Sequence, residues 1–332
     1  MSDITQSMQE KLLLNSLNCR GLADGRKRRA VFQWLKTYYN GIVLLQETHS
    51  TLLCEKQWLG EWGGDIFFSH GNYNARGVAI LIPKNLQLKI LNVYRDDEGR
   101  YVILDIEGDG WKMLLCNIYA PTKDKSSEQL DFFIKVFNFI KDLEDKNIVM
   151  GGDFNTCLDP QIDKSGGEVE TKSKCAQLIQ DYCNEINVSD VWRVINPDLK
   201  RFSRRGNTRK GTVQSRIDYW LISIHMTYDL QNTDIKPAIK TDHSIITLSF
   251  NIKDTQMRGR GFWKFNKALL KDKIYIEKIN KCITELKEKY KDTEDKSLVW
   301  DTIKCELRSL TITTLAIKRK NLDLLKMQLN QK

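Results

Sequence analysis

"NIVMGGDFN", residues 147–155, is the stretch on which the reading of this chain turns. Ile148, Val149 and Met150 make the apolar run of a buried strand. Two glycines follow, then Asp153 and Asn155, polar residues of the same parity. Side chains two apart on a strand face the same way. The spacing therefore predicts a carboxylate and an amide leaving one strand tip together, beside glycines that let the backbone turn. Asp and Asn also favour ordinary turns, so the stretch acquires meaning only from its surroundings.

Immediately upstream, "SSEQLDFFIKVFNFIKDLED" (126–145) reads as an amphipathic helix with Ser capping residues and Glu128 in its first turn. Before it stand four strand candidates, 77–83, 86–94, 100–107 and 111–121, with "DDEG" (96–99) as a turn. Nearer the N-terminus, 11–18 and 41–47 read as strands around a helix over 26–39, in which Val31, Leu35, Tyr38 and Tyr39 fall at helical spacing. Downstream come a helix near 172–185, a short apolar stretch "VSDVWRVI", and strands at 215–223 and 243–250. Runs of strands mixed with helices predict two sheets packed face to face with helices outside.

The charge divides the chain. Residues 1–252 carry 32 basic and 32 acidic side chains, whereas 253–332 carry 20 Lys/Arg against 11 Asp/Glu. The whole net charge of +9 thus lies in the last quarter, which marks a boundary. "NIKDTQMRGRG" (251–261) reads as a linker. Helical stripes follow, Ile276, Ile279, Ile283 and Leu286, then Val299, Ile303, Leu307 and Leu310. The last helix ends without a capping glycine, which suggests a fragment of something longer. No apolar run approaches the ~20 residues of a membrane span, and no signal sequence opens the chain. The eight cysteines show no CxxC and no zinc-like spacing, so they are expected to be thiols of a reducing, intracellular compartment.

Polar residues gather at the ends of apolar strands: Asn18, Glu47, Asn117, Tyr119, Asp153, Asn155, Asp218 within "SRIDYW", and Asp242-His243. Four carboxylates drawn together would raise one another's pKa unless a cation neutralised them. Oxygen donors with a single His suit Mg2+ or Mn2+ better than zinc. A basic loop, "RFSRRGNTRKGTVQSR" (201–216), reads either as a solvated hairpin or as an element that enters a DNA groove. The Arg26–Arg29 run at a helix start carries the same two readings more weakly.

The series "LNCRGL", "LLQETHS", "GVAIL", "NIYAP", "GGDFN", "SRIDYWLIS" and "TDHSIITLSF", in that order, resembles the endonuclease/exonuclease/phosphatase superfamily. Within it, the apurinic-type endonuclease domain of non-LTR (LINE-type) retrotransposons is the nearest likeness, over about residues 11–252. The resemblance implies an α/β fold, a four-layer sandwich of two packed mixed β-sheets flanked by helices. A C-terminal α-helical extension over 253–332 would lead toward a reverse transcriptase, and "WKFN" (263–266) resembles the segment found there. It further implies Mg2+-dependent hydrolysis (Mn2+ substituting) of one strand of double-stranded DNA, leaving a 3′-hydroxyl that primes reverse transcription. Such a protein would act in the nucleus, with retrotransposon RNA as a second partner for the basic tail.

Position by position, the resemblance makes Glu47 the principal metal ligand, helped by Asn18 and Asp242. Asp153 would orient and deprotonate the attacking water, and Asn155 would bind a phosphate oxygen. His243 would contact the scissile phosphate, charged by Asp218, while Tyr119 donates its hydroxyl to the phosphate. Ser203, Arg204, Arg205, Arg209 and Lys210 would touch DNA. Arg20 stands where many relatives carry Asp or Asn, so it would contact phosphate in place of a second metal ligand. Three rivals share the chain: an abasic-site repair endonuclease, a small-molecule phosphatase, and a catalytically inactive nucleic-acid-binding module.

Overall fold

Every strand expected above forms, and six more appear beside them. The computed structural model describes residues 10–86, 88–108, 110–122, 125–143, 147–167, 171–208, 211–252, 267–291 and 295–329. The strands are β1 (Glu10–Asn18), β2 (Ile42–Gln46), β3 (Asp65–Ser69), β4 (Val78–Ile82), β5 (Lys89–Arg95), β6 (Tyr101–Gly108), β7 (Trp111–Tyr119) and β8 (Ile148–Asp153). They continue with β9 (Lys164–Ser165), β10 (Val188–Asp190), β11 (Arg204–Thr208), β12 (Gly211–Ser215), β13 (Asp218–Ser223), β14 (Leu230–Pro237) and β15 (Ser244–Ile252). The helices are α1 (Gly25–Tyr38), α2 (Glu55–Trp62), α3 (Ser126–Asp142), α4 (Pro160–Asp163), α5 (Lys174–Glu185), α6 (Val191–Ile195), α7 (Lys273–Lys289) and α8 (Lys296–Leu329).

Two six-stranded sheets result, ordered β14-β15-β1-β2-β4-β3 and β10-β13-β8-β7-β6-β5. Each is mixed through a single parallel pair, β1–β2 in the first and β7–β8 in the second. Alternation along the strands sorts side chains into three interfaces. Leu12, Leu14, Leu44 and Ile80 of the first sheet meet Leu104, Leu115, Val149 and Trp220 of the second. Outside the first sheet, Val31, Phe32 and Leu35 of α1 and Trp58 and Trp62 of α2 cover Val43, Leu45 and Leu81. Outside the second, Phe133, Val136 and Phe137 of α3 and Ile179 of α5 cover Cys116, Met150 and Leu221. The architecture is a four-layer α/β sandwich, and each fully buried Leu or Ile contributes about 1.5–3 kcal/mol to it.

Local chemistry sets the helix starts. Asp24 accepts from Lys27 N at 2.7 Å and Ser173 from Ala176 N at 3.0 Å, capping α1 and α5. The expected Ser cap of α3 is not used: Lys125 takes the cap position without a side-chain bond, and Ser126 is already helical. The glycines of the opening stretch lie inside β8 rather than at a turn. A Cβ on Gly151 would sit 2.2 Å from the Trp220 ring, and one on Gly152 (φ 145°) would sit 2.0 Å from Ile118 O. They admit a neighbouring indole and a neighbouring strand. "VSDVWRVI" divides into β10 and α6.

The chain divides into two compact units, residues 1–257 and 258–332. In the second, α7 pairs with α8: Tyr275 is buried, and its hydroxyl lies 2.6 Å from Thr311 Oγ1. Asp272 caps α7 by accepting from Ile274 N and Tyr275 N. "WKFN" lies outside the described residues. No described helix is long and apolar enough to cross a membrane, and the seven described cysteine side chains are free thiols.

Candidate active site

Strand register assembles the site. Asp153, last residue of β8, pairs with Asp218 on the antiparallel β13 and with Tyr119 on the parallel β7. Three polar residues therefore stand side by side at one end of the second sheet. Asn18, last of β1, reaches them from the first sheet, its Nδ2 donating to Asp153 Oδ2 at 2.9 Å. His243 precedes β15 and turns its Nδ1 to Asp218, 2.9 Å from Oδ2. Its Nε2 lies 4.0 Å from Asp153 Oδ2. Thr241 closes the circle, donating to Asn18 O at 2.9 Å and accepting from His243 N at 3.2 Å.

Asn18, Asp153, Asp218 and His243 are all buried, which sets the electrostatics. Burial pushes the Asp153 carboxyl up to about 7, and the charge of Asp218 adds to the rise. Burial pulls His243 down, but the charge and hydrogen bond of Asp218 overcome it and raise the imidazole to about 9. The imidazole facing Asp218 therefore keeps its proton at neutral pH. Burial, then the charges of Glu47 and Asp153, push the Tyr119 phenol well up, so it stays a hydrogen-bond donor. The Arg100 guanidinium sits 5.2 Å over the Tyr119 ring.

Glu47 follows β2 with φ 53°, a conformation a glutamate keeps only under constraint. Its carboxylate is 27% exposed and accepts no hydrogen bond from a described residue; His49 Nε2 stands 3.9 Å away. It is the open acidic group of the site. Asp153, Asp218 and His243 place potential ligand atoms within 4.8 Å of one another. Within that trio Asp218 is engaged by both His243 and Ser203. Hard oxygen donors facing a buried negative cluster fit a divalent cation, with Glu47 and the Asn18 amide oxygen as the groups to hold it.

Several candidates stand elsewhere than expected. Asn155 adopts φ 49°, so strand parity does not carry to it. Its N–H returns to Asp153 Oδ1 at 2.9 Å and its Nδ2 donates to Ala120 O at 2.9 Å. Asp242 faces arginines, with Oδ1 3.4 Å from Arg20 Nη1 and Oδ2 3.5 Å from Arg204 Nε. Ser203 is fully buried. Its hydroxyl donates to Asp218 Oδ2 at 2.6 Å and accepts from Ile217 N and Asp218 N at 3.1 and 2.9 Å. Arg20 is 64% exposed, and Arg204 and Arg205 are exposed at the root of the β11–β12 hairpin. Arg209 and Lys210 lie outside the described residues. Thr241 and His49 join the site from within the "TDHSIITLSF" and "LLQETHS" motifs, and Arg100 from outside any motif. Asn117 instead ties the sheets together, donating to Leu45 O and Ala79 O at 3.0 and 2.9 Å.

A two-sheet sandwich with a His–Asp pair and clustered carboxylates at its strand ends describes a hydrolase architecture. Residues 15–243 match the Endonuclease/Exonuclease/phosphatase family, and the chain belongs to it. It is 29% identical over 270 residues to the Transposon TX1 uncharacterized 149 kDa protein of Xenopus laevis. That match takes in 81% of this chain but only 20% of the relative, so the chain spans about a fifth of its length. Among solved structures, an AP endonuclease from Leishmania major superposes with a TM-score of 0.64 at 13% identity, over 73% of this chain and 88% of that one. A Neisseria 3′ phosphatase bound to product DNA hairpin gives 0.56 at 19% identity, over 72% and 99%. At such identities the likeness is one of fold.

Proposed function

We propose that residues 1–252 form a DNA endonuclease domain that nicks one strand of a duplex, leaving a 3′-hydroxyl from which reverse transcription is primed. In this reading residues 253–332 lead toward a polymerase. The observation that carries the reading is the buried Asp218–His243 pair beside Asp153, with Glu47 left open at the same strand ends.

Mg2+ or Mn2+, held by Glu47 and Asn18, would supply charge neutralisation at the phosphate and the leaving 3′-oxygen. The chain's own groups do the rest. Asp153, steadied by the Asn18 amide, orients the attacking water and takes its proton. His243, kept cationic by Asp218, faces the phosphate as negative charge builds on its oxygens. The Tyr119 phenol donates to the same group. Asn155 gives one amide hydrogen to Ala120 O and has a second for a phosphate oxygen. Asp242 acts on the DNA side instead of on a metal, holding Arg20 and Arg204 at the rim, and Ser203 positions Asp218.

Purified protein should convert supercoiled plasmid to open circles with Mg2+ or Mn2+, at ends that a polymerase extends. Glu47→Ala and His243→Ala should each lower the rate at least about a hundredfold. Because His243 is raised to about 9, nicking should fall as pH passes that value and the imidazolium is lost. Plasmid left intact with either metal would overturn the reading. Cleavage confined to abasic duplex would make the domain a repair endonuclease instead.

A further inference from the structure

Beside the site, the segment after Glu47 presents a feature that the chemistry above does not use. Leu52 is 75% exposed and Leu53 96% exposed, adjacent apolar side chains on the 3₁₀ turn Leu52–Cys54 that leads into α2. A solitary surface leucine is commonplace, but this pair is held out on a fixed mount. His70 Nδ1 is hydrogen-bonded to Ser50 Oγ at 3.0 Å and its Nε2 to Glu55 Oε1 at 2.9 Å. One imidazole thus staples both ends of the turn. Thr48 Oγ1 donates to Ser50 Oγ at 3.0 Å, and the His70 ring stacks on Phe68 with centroids 5.0 Å apart. Main-chain bonds from Thr48 N to Gly77 O and His49 N to Arg76 O, each 2.9 Å, anchor the preceding residues.

Cations stand on the neighbouring helix, Arg28 and Arg29 there being paired with Glu61 of α2. Helix α1 opens with Arg26, Lys27, Arg28 and Arg29, of which Arg26 and Arg29 are exposed. Arg28 ties that end to α2, bonding Glu61 at 2.6 Å and lying 5.3 Å over the Trp58 ring. Lys27 Nζ donates to Arg20 O at 2.8 Å, bringing a further cation to the same rim. An apolar pair on a cationic rim matches a partner with anionic edges and flat apolar faces between them. A nucleic-acid duplex has both, and the turn begins five residues from Glu47.

We propose that Leu52 and Leu53 are a preset apolar wedge that enters a base step of the bound duplex next to the scissile phosphate. The proposal rests on the endonuclease reading for its partner. Opening a step costs stacking free energy, which a hydrophobic wedge offsets. A duplex whose step is already open should then bind more tightly.

The test is a metal-free affinity comparison of a mixed-sequence 30-base-pair duplex with the same duplex carrying one central bulged base. Intact protein should favour the bulged duplex by about tenfold or more. A Leu52→Ser/Leu53→Ser variant should bind both equally, with an unchanged salt dependence because the cations remain. His70→Ala should also reduce the preference, by loosening the mount while keeping the leucines. Equal binding by intact protein, or preference retained in the serine variant, would overturn the wedge. So would a leucine-dependent affinity for anionic vesicles without duplex preference. Because no metal is present, the outcome is separable from the nuclease reading: preference without nicking sinks only the latter, and nicking without preference sinks only the wedge.

Discussion

Asp163 is the residue whose loss should be felt most in folding. It is fully buried, accepting from Arg216 Nε at 2.7 Å and Nη2 at 2.9 Å, with Arg193 on its other side. Burial alone would raise its carboxyl, but the hydrogen bonds and charge of Arg216, then those of Arg193, hold it below the usual range. A carboxylate depressed by folding stabilises fully above its unfolded pKa, about 3.9. That stability is lost as pH falls through the lower folded value. Asp163→Asn should lower unfolding stability by about 3 kcal/mol at pH 7 and flatten its loss in acid, read by urea titrations at several pH values. Legibility at this scale was uneven. Residue types at strand ends located Asp153, Asp218 and His243, because a strand tip fixes where a side chain emerges. Partners were not legible: nothing in "RFSRR" says that the Ser203 hydroxyl turns inward to Asp218, or that Asp242 turns to arginines.

Two of the strands that escaped the sequence reading, β3 and β14, are edge strands. β3 is five residues at one edge of the first sheet, and β14, at the other edge of the same sheet, is mostly polar and ends in Pro237. The apolar run of β3 is only Ile66–Phe68, too short to mark a strand by itself, and β14 lacks an apolar run, with a proline that an edge tolerates. The central strands were plain, because both faces are covered and their apolar runs are continuous. The glycines of β8 were noticed but misjudged, since the contact that requires Gly151 comes from Trp220, 69 positions away. Gly151→Ala should therefore cost about 1–3 kcal/mol and shift tryptophan fluorescence. Asn117 makes a second test of sheet pairing. Replacing it with Ala removes its bonds to two buried carbonyls and the bond that Gln46 Nε2 donates to its Oδ1 at 2.7 Å. The expected loss is about 2–3 kcal/mol, visible in the melting temperature.

At the scale of the molecule, charge and shape separate. The first unit is electrically balanced, and the positive excess lies in the residues after 252. Removing residues 258–332 should leave a cooperatively folding sandwich, checked by circular dichroism melting. Its duplex affinity should depend less steeply on salt than that of the whole chain, because fewer counterions are released. The uneven charge is a property of composition alone, since counting charges needs no contacts. The two-sheet architecture was readable as well, from strand order and the spacing of motifs.

Ser203 N donates to Ser215 O, Ser244 N to Ser203 O, and Arg205 N to Asp242 O, while Arg204 bridges His243. The root of the β11–β12 hairpin is thereby welded to the strand that carries the histidine. The backbone that places the Asp218–His243 pair is therefore tied, on both sides of the histidine, to one hairpin root.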